Sequence, residues 1–371
     1  MSNLNLGIEG KEVIVFQMGK VASSAIVNSV QQYGLKAYQP HFLTMESFIT
    51  LLKKFGDPEM THFAATHILG QIQNNVIIHN RIQKQKRYRY KDEKGSPLVK
   101  IISLAREPIG WYLSNLSQNY PEYERDIEDW LKCSRIAGSE EITSDKQRIL
   151  IEFINEVIRF FDQNVTETEE NIFEIPGQLV QQTEGNLFQK LAARLDRVIH
   201  FFGRRVQQTE GNMIQRLAAC LDKDRIDYTQ ASEILVKHCF MLMRPTIWFR
   251  EHFDPVIGTR FEKMRFDKDR GYSTFRKNGM DILVIRFEDL AETGPKVIGD
   301  FLDIQDFKME RHNISEQKEV GAMISKSIKH LDFSKEFLDR IYSTDYCSKF
   351  PSASINNLAF YRAFYICVIM P

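Results

Sequence analysis

Three short, predominantly apolar runs stand out along the chain: Val13-Ile-Val-Phe16, Val99-Lys-Ile-Ile-Ser-Leu-Ala105 and Asp281-Ile-Leu-Val-Ile-Arg-Phe287. Runs of this length, rich in β-branched residues, are the pattern of strands buried on both faces of a parallel sheet. After the first run the period changes. Ile26, Val27, Val30 and Tyr33 fall at helical spacing, and Gly34 supplies a C-terminal stop. Leu35–Tyr38 predicts the next strand, ended by Pro40-His41, and Thr44 is placed to cap a helix running to about Lys54. Pro108 suits the first turn of a helix through Asn119, and another helix is predicted from about Pro295 to Leu302. Strands alternating with helices predict a three-layer α/β fold around a mostly parallel central sheet.

Between 125 and 245 the strand signals vanish and the chain reads as polar, amphipathic helices. This stretch holds a near-duplicate: Val180-Gln-Gln-Thr-Glu-Gly-Asn186 recurs as Val206-Gln-Gln-Thr-Glu-Gly-Asn212, each followed by Gln-x-Leu-Ala-Ala-x-Leu-Asp. Two copies are too few for a solenoid, so the simplest reading is a duplication, 180–196 and 206–222, that lengthened a helical insertion. The expected organisation is therefore a core in two parts, 1–124 and 246–350, with the insertion 125–245 between them and a tail at 351–371.

Lys plus Arg balance Asp plus Glu at 49 each, so no long-range charge draws the chain to nucleic acid or to an anionic membrane. The five cysteines are scattered, with no CxxC pair and no metal spacing, which reads as a reducing compartment and buried thiols. The N-terminus lacks the build of a signal peptide, and no run approaches the length of a membrane span. A cytoplasmic protein is expected; oligomeric state is not legible.

Chemistry concentrates in two places. The first is the loop after the first strand, Gln17-Met18-Gly19-Lys20-Val21-Ala22-Ser23-Ser24. A loop entering a helix at the carboxyl end of a parallel strand aims backbone N–H groups and a positive dipole end at whatever binds there, a seat for phosphate or sulfate. Gly19 permits close backbone approach, Lys20 adds charge, and both serines add hydroxyl donors. The loop is P-loop-like without being GxxxxGK[ST]: Ile14 and Val21 stand where the first Gly and the magnesium-ligating hydroxyl belong. The second place is Arg106 with Ser114, where an Arg fork and a hydroxyl would cradle a separate phosphate. Taken singly, Arg106 reads better as the partner of Glu107 or another carboxylate, and Ser114 as a neutral helix residue.

Together these pieces resemble the PAPS-dependent sulfotransferases. Lys20-Val-Ala-Ser-Ser24 is similar to their 5′-phosphosulfate loop, Arg106 with Ser114 to their 3′-phosphate motif, and Ile285-Arg-Phe-Glu-Asp-Leu290 to a late stretch of their domain. More narrowly, Gln17–Ser24, Arg106-Glu-Pro-Ile109 and Trp248-Phe249 resemble bacterial sulfotransferases associated with capsular polysaccharide synthesis. The resemblance covers about 1–120 and 245–350. Its Gly-x-x-Gly-x-x-Lys loop is missing; only Phe275-Arg-Lys-Asn-Gly279 lies nearby.

The resemblance implies transfer of a sulfuryl group from PAPS to a hydroxyl or amine, with PAP as product, no metal required and a carbohydrate as the expected acceptor. Residues 17 to 24, Arg106 and Ser114 would hold the donor. Lys20 would neutralise charge on the leaving phosphate oxygen. His41, at the end of the second strand, or His67, in a Thr-His dipeptide like that of the small-molecule enzymes, would be the general base, with Glu46 behind them. The rival readings are a P-loop kinase-like transferase and a non-catalytic nucleotide-binding protein. The basic run Lys84–Lys91 is read as a solvated loop, its functional alternative being contact with an anionic acceptor. Trp248–Phe253 is read as core, its alternative the lining of an acceptor cleft.

Overall fold

The computed structural model describes residues 12–19, 21–44, 47–49, 51–52, 62–88, 99–133, 145–164, 230–309, 323–324, 327 and 330–349. Outside the described residues lie Lys20, Glu46, both copies of the duplicated segment, residues 89 to 91 of the basic run and the tail 351–371.

The described strands form one sheet: β1 (Glu12–Val15), β2 (Lys36–Tyr38), β3 (Val99–Ala105), β4 (Tyr272–Lys277) and β5 (Met280–Arg286), in the order β2-β1-β3-β5-β4. The pairs β1–β2, β1–β3 and β3–β5 are parallel, and β4 closes one side as an antiparallel edge. The three apolar runs are thus the three central strands. All seven residues of β3 are buried, so both faces of the sheet are covered there. Lys100 is the one charge in that run. Its Nζ reaches the end of α8 (Gly294–Leu302), where it donates to the Phe301 carbonyl and meets Asp303 Oδ2 at 3.1 Å. An ammonium at a helix C-terminus meets orphan carbonyls and the negative dipole end, which is what makes its burial tolerable.

The faces follow from handedness. α1 (Ser23–Gln32) carries the chain from β1 to β2, while α2 (His62–Tyr88) lies between β2 and β3, which sits on the other side of β1. Right-handed crossovers in opposite directions put these two helices on opposite faces. α8 joins α1 on its face: the Tyr33 hydroxyl donates to the Asp306 carbonyl and accepts from Lys308 N, with the Tyr33 and Phe307 rings 5.2 Å apart.

After β3 come α3 (Pro108–Gln118), α4 (Tyr120–Cys133), α5 (Lys146–Asn164) and α6 (Gln230–Trp248), then a π-helical turn at Phe249–Phe253 and the short α7 (Asp254–Ile257). α9 (Lys335–Tyr342) follows α8 and packs on α5, with Phe161 and Phe337 5.4 Å apart. The described helices of the predicted insertion share one hydrophobic cluster with the sheet, through Trp130, Phe153, Phe161, Leu242 and Trp248. His238 of α6, fully buried, pins the group: its Nδ1 lies 2.9 Å from the Tyr112 hydroxyl of α3, and its Nε2 3.4 Å from Asp126 Oδ2 of α4. No helix among the described residues is long and apolar enough to cross a membrane.

Three details differ from the sequence expectations. The basic run is not a loop over residues 84 to 88, which form the last turns of α2; Gln85 is buried there and donates to the Gly279 carbonyl at 2.6 Å. Phe275–Gly279 is the β4–β5 hairpin, with Asn278 and Gly279 at φ 50° and 77°, as a tight two-residue turn requires. That turn sits at the amino end of β5, across the sheet from the loop after β1. Cys239 and Cys347 are buried thiols, but Cys133 is exposed.

Gly271 sets the carboxyl end of the β4–β5 pair. Its φ is 72°, its carbonyl accepts from Arg286 N, and a Cβ there would lie 1.9 Å from Asp289 Oδ2, the carboxylate that pairs with Arg286. Gly271→Ala should therefore destabilise the fold by roughly 2–4 kcal/mol, combining left-handed backbone cost with a displaced ion pair. Chemical denaturation should show this as a lower midpoint at unchanged slope; an unaltered midpoint would refute the packing described.

Candidate functional site

β2 lies on one side of β1 and β3 on the other, so the chain leaves the carboxyl ends of β1 and β3 in opposite directions. Ligands of open α/β sheets bind in the crevice such a switch point creates. Both sequence constellations lie there, one on each strand. The ladder reaches into the first loop, with Phe16 N donating to the Ile102 carbonyl at 2.9 Å. From the other side, the Trp111 indole of α3 donates to the Gly19 carbonyl at 2.8 Å. The first loop is thus joined by a direct hydrogen bond to α3, the helix that carries Ser114.

α1 enters this crevice without a side-chain cap. Ala22 holds the N-cap position at φ 58°, ψ 24°, a left-handed geometry unusual for alanine, and its side chain offers no acceptor to the first-turn N–H groups. A Cβ built on Gly19 meets nothing within 4 Å, so the space over the loop backbone is open. The serines are not equivalent. Gln39, just past β2, donates from Nε2 to Ser23 Oγ at 2.6 Å and accepts from Ser24 Oγ at 3.3 Å. Ser23 keeps its proton to donate to a ligand, whereas the Ser24 proton is engaged.

His41 follows two residues later. Its Nδ1 lies 2.9 Å from the Gln17 carbonyl, which can only accept, so Nδ1 carries the hydrogen and the neutral ring has its lone pair on Nε2. The His41 carbonyl accepts from the Trp248 indole at 3.0 Å. Beneath the loop, the Gln17 amide is fully buried and, among the described residues, makes no hydrogen bond through either polar atom. A group so placed costs stability until something bonds it.

The second constellation is built differently. Glu107 caps α3 with its own carboxylate, accepting from Ile109 N at 3.1 Å and from Gly110 N, while the Tyr342 hydroxyl donates to it at 3.0 Å. Glu107 N in turn donates to Glu288 Oε1 at 3.0 Å. Burial, and then the neighbouring Glu288, push the Glu107 carboxyl up to about 8; burial likewise raises Glu288 to about 7. Arg106 is buried beside this pair, its guanidinium carbon 4.1 Å from the Phe287 ring centroid and its backbone N–H and carbonyl both bonded to the Tyr346 hydroxyl. Ser114 is buried one turn beyond Trp111, on the side of α3 that faces the first loop.

Of the sequence-predicted residues, the structure therefore gathers Gln17, Met18, Gly19, Val21, Ala22, Ser23, Ser24 and His41 at β1, and Arg106 and Ser114 at β3. His67 lies in α2, its side chain outside the described residues. It is about 12 Å along the axis from Asn75, which bonds the Phe42 carbonyl. His79 is structural, bonded to the Leu43 carbonyl at 3.1 Å, its pKa lowered first by burial. Sequence reasoning missed the Glu107–Glu288 pair with its two tyrosines, which only tertiary contacts across 181 or more positions create. It also missed Arg244, over the Phe42 ring at 6.0 Å. The aromatic residues Trp248, Phe249 and Phe253 are core.

Comparison with known proteins gives one family. The NKWYS family, described as "Putative capsular polysaccharide synthesis protein", matches residues 223–352. No curated protein and no solved structure matches the chain. The match links the chain to capsular polysaccharide synthesis and names no reaction.

The acid pair makes stability depend on pH. Between the ordinary carboxyl value of 4.5 and about 8, the folded chain holds protons that the unfolded chain has lost. Its contribution is therefore full below that window and lost as pH rises through it, at up to about 1.4 kcal/mol per pH unit for one group. Glu288→Gln, which keeps an acceptor for Glu107 N, should flatten urea-unfolding stability between pH 5 and pH 8. Equal slopes in variant and parent would dismiss the pair as the source.

Proposed function

We propose that this protein is a PAPS-dependent sulfotransferase acting on a carbohydrate, with the switch-point crevice as its active site. The observation that carries the reading is the contrast between two helix N-termini at one sheet edge. α3 is closed by its own Glu107, whereas α1 is uncapped, open over Gly19 and flanked by Ser23. An uncapped N-terminus with an open glycine approach fits an anion bound through backbone N–H groups. The P-loop-like character of the first loop belongs to this proposal.

In this reading residues 17 to 24 hold the 5′-phosphosulfate. Glu107 already uses the N–H groups of α3, so the 3′-phosphate is left to the side chains Arg106 and Ser114. The acceptor oxygen forms a bond to sulfur as the bond from sulfur to the phosphate oxygen breaks. The leaving oxygen keeps the electron pair, the charge that the sequence assigns Lys20 to neutralise, and the acceptor's proton passes to His41 Nε2. The tautomer fixed by the Gln17 carbonyl has its lone pair on that nitrogen, as a general base requires. The carbohydrate acceptor is supported by the family match, which spans the α6 wall of the crevice.

Titration calorimetry with PAP tests the donor site. PAP should bind without magnesium and more tightly than ATP. Gly19→Ala should weaken PAP by at least about tenfold, because the new methyl enters the ligand's space, yet leave the melting temperature unchanged, because it meets no protein atom. Magnesium-dependent preference for ATP, or undiminished PAP binding by Gly19→Ala, would defeat the assignment.

Turnover tests the base. His41→Asn should lower sulfuryl transfer from PAPS by roughly 10²–10⁴-fold while PAP affinity stays at the parent value. Near-parental turnover would remove His41 from the role.

A further inference from the structure

α6 carries one basic residue into the same crevice. Arg244 lies one turn before Trp248, on the same helix face, and Trp248 holds the His41 carbonyl. The Arg244 guanidinium carbon is 6.0 Å from the Phe42 ring centroid, and that ring is 4.8 Å from His252 and 6.4 Å from His41. Arg244 is half-buried, and among the described residues it makes no hydrogen bond and no ion pair. Burial lowers its pKa from the usual guanidinium range, against the weaker pulls of Tyr123 and Glu251. A planar fork of five donors, partly desolvated and unpaired, is arranged for bidentate contact with an anion.

We propose, resting on the sulfotransferase reading, that Arg244 binds the carboxylate of the acceptor, which is therefore an acidic sugar such as a uronate. Around the Phe42 ring, among the described residues, the charge count selects a monoanion. The neighbouring His252 is held neutral near pH 7, its pKa pushed down to about 3 by burial and then by Arg244. A single positive charge balances one carboxylate, whereas a phosphate dianion would leave a negative charge in a half-buried site. The Phe42 ring beside the guanidinium gives the sugar ring an apolar surface, and His41, the next residue, lies within reach of the same ligand. Pro245 and the π-helical turn at Phe249–Phe253 interrupt regular helix on this wall, as such turns often do at functional sites.

Saturation-transfer NMR on the full chain, with and without PAP, tests the proposal using glucuronate, glucose and inorganic phosphate. Glucuronate should bind at least about tenfold more tightly than glucose, and phosphate should displace it only weakly. Arg244→Gln should abolish the preference for glucuronate with the melting temperature and PAP affinity unchanged, and Arg244→Lys should restore part of it. Equal binding of the two sugars, glucuronate binding retained in Arg244→Gln, or phosphate displacing glucuronate at lower concentration would overturn it. Arg244-dependent glucuronate binding in a protein that ignores PAP would sustain the acidic-sugar site and fail the donor reading instead.

Discussion

The parallel pairing of β1 with β3 is the constraint on which the rest of the molecule depends. Four registered pairs, Glu12 with Val99 through Val15 with Ile102, bring two distant runs side by side and pointing the same way, β3 running on to Ala105. Every side chain of β3 is buried, so the register cannot slip by one residue without exposing a buried face or burying a new polar set. The segments that leave the two strands are thereby delivered to one edge. The Phe16 to Ile102 hydrogen bond carries the pairing into the loop itself, and Trp111 then ties that loop to the helix after β3. Neither the loop nor Arg106 could be moved alone.

At that edge two helices meet the same electrostatic problem with opposite solutions. Each N-terminus presents unsatisfied donors and a positive dipole end. α3 meets its own with Glu107, and the cost is a buried carboxyl beside the partly buried Glu288, whose Oε2 is enclosed. Two desolvated acids side by side would be untenable if both were ionised, so the pair retains protons and leans on hydrogen bonds from Tyr342, Ile109 and Gly110. Satisfying α3 internally rigidifies the wall of the crevice. α1, left uncapped, stays available to a ligand. Rigidity on one side and open donors on the other are what a binding site at a sheet edge requires.

How much of this could be read from the chain depends on the range of the interaction involved. The central strands were legible because burial on both faces forces a continuous apolar run; even Lys100 did not hide β3. Helix α3 was legible from Pro108 at its first position, and α1 from its period and from Gly34. β4 was not, because an edge strand half-exposed to water carries no apolar pattern. The β4–β5 turn, Asn278-Gly279, is set at the amino edge by its pairing with β5, which Phe275–Gly279 does not announce by itself. In the site, loop and helix order implied the seat at α1, but the inequality of Ser23 and Ser24 arises from Gln39, across the β1–β2 pair. The Glu107 lock required Tyr342 and Tyr346, more than two hundred residues away, and no local spacing encodes that.

His41 is where the two halves of the crevice meet. Its ring nitrogen holds the Gln17 carbonyl of the loop, while its own carbonyl holds the Trp248 indole of α6. Trp248 is buried against Phe16 at 5.1 Å, and Phe16 is the residue whose N–H extends the β1–β3 ladder. The connections therefore close a ring: sheet to loop, loop to His41, His41 to α6, and α6 back to the sheet. In a closed ring of packed and hydrogen-bonded groups, displacement of one member strains the others, so the imidazole is oriented by the fold and not by whatever enters the crevice. The same ring places Arg244, one turn before Trp248, at a set position relative to that imidazole. The Arg244 guanidinium and the His41 imidazole are then held in fixed relation by one helix turn and one indole.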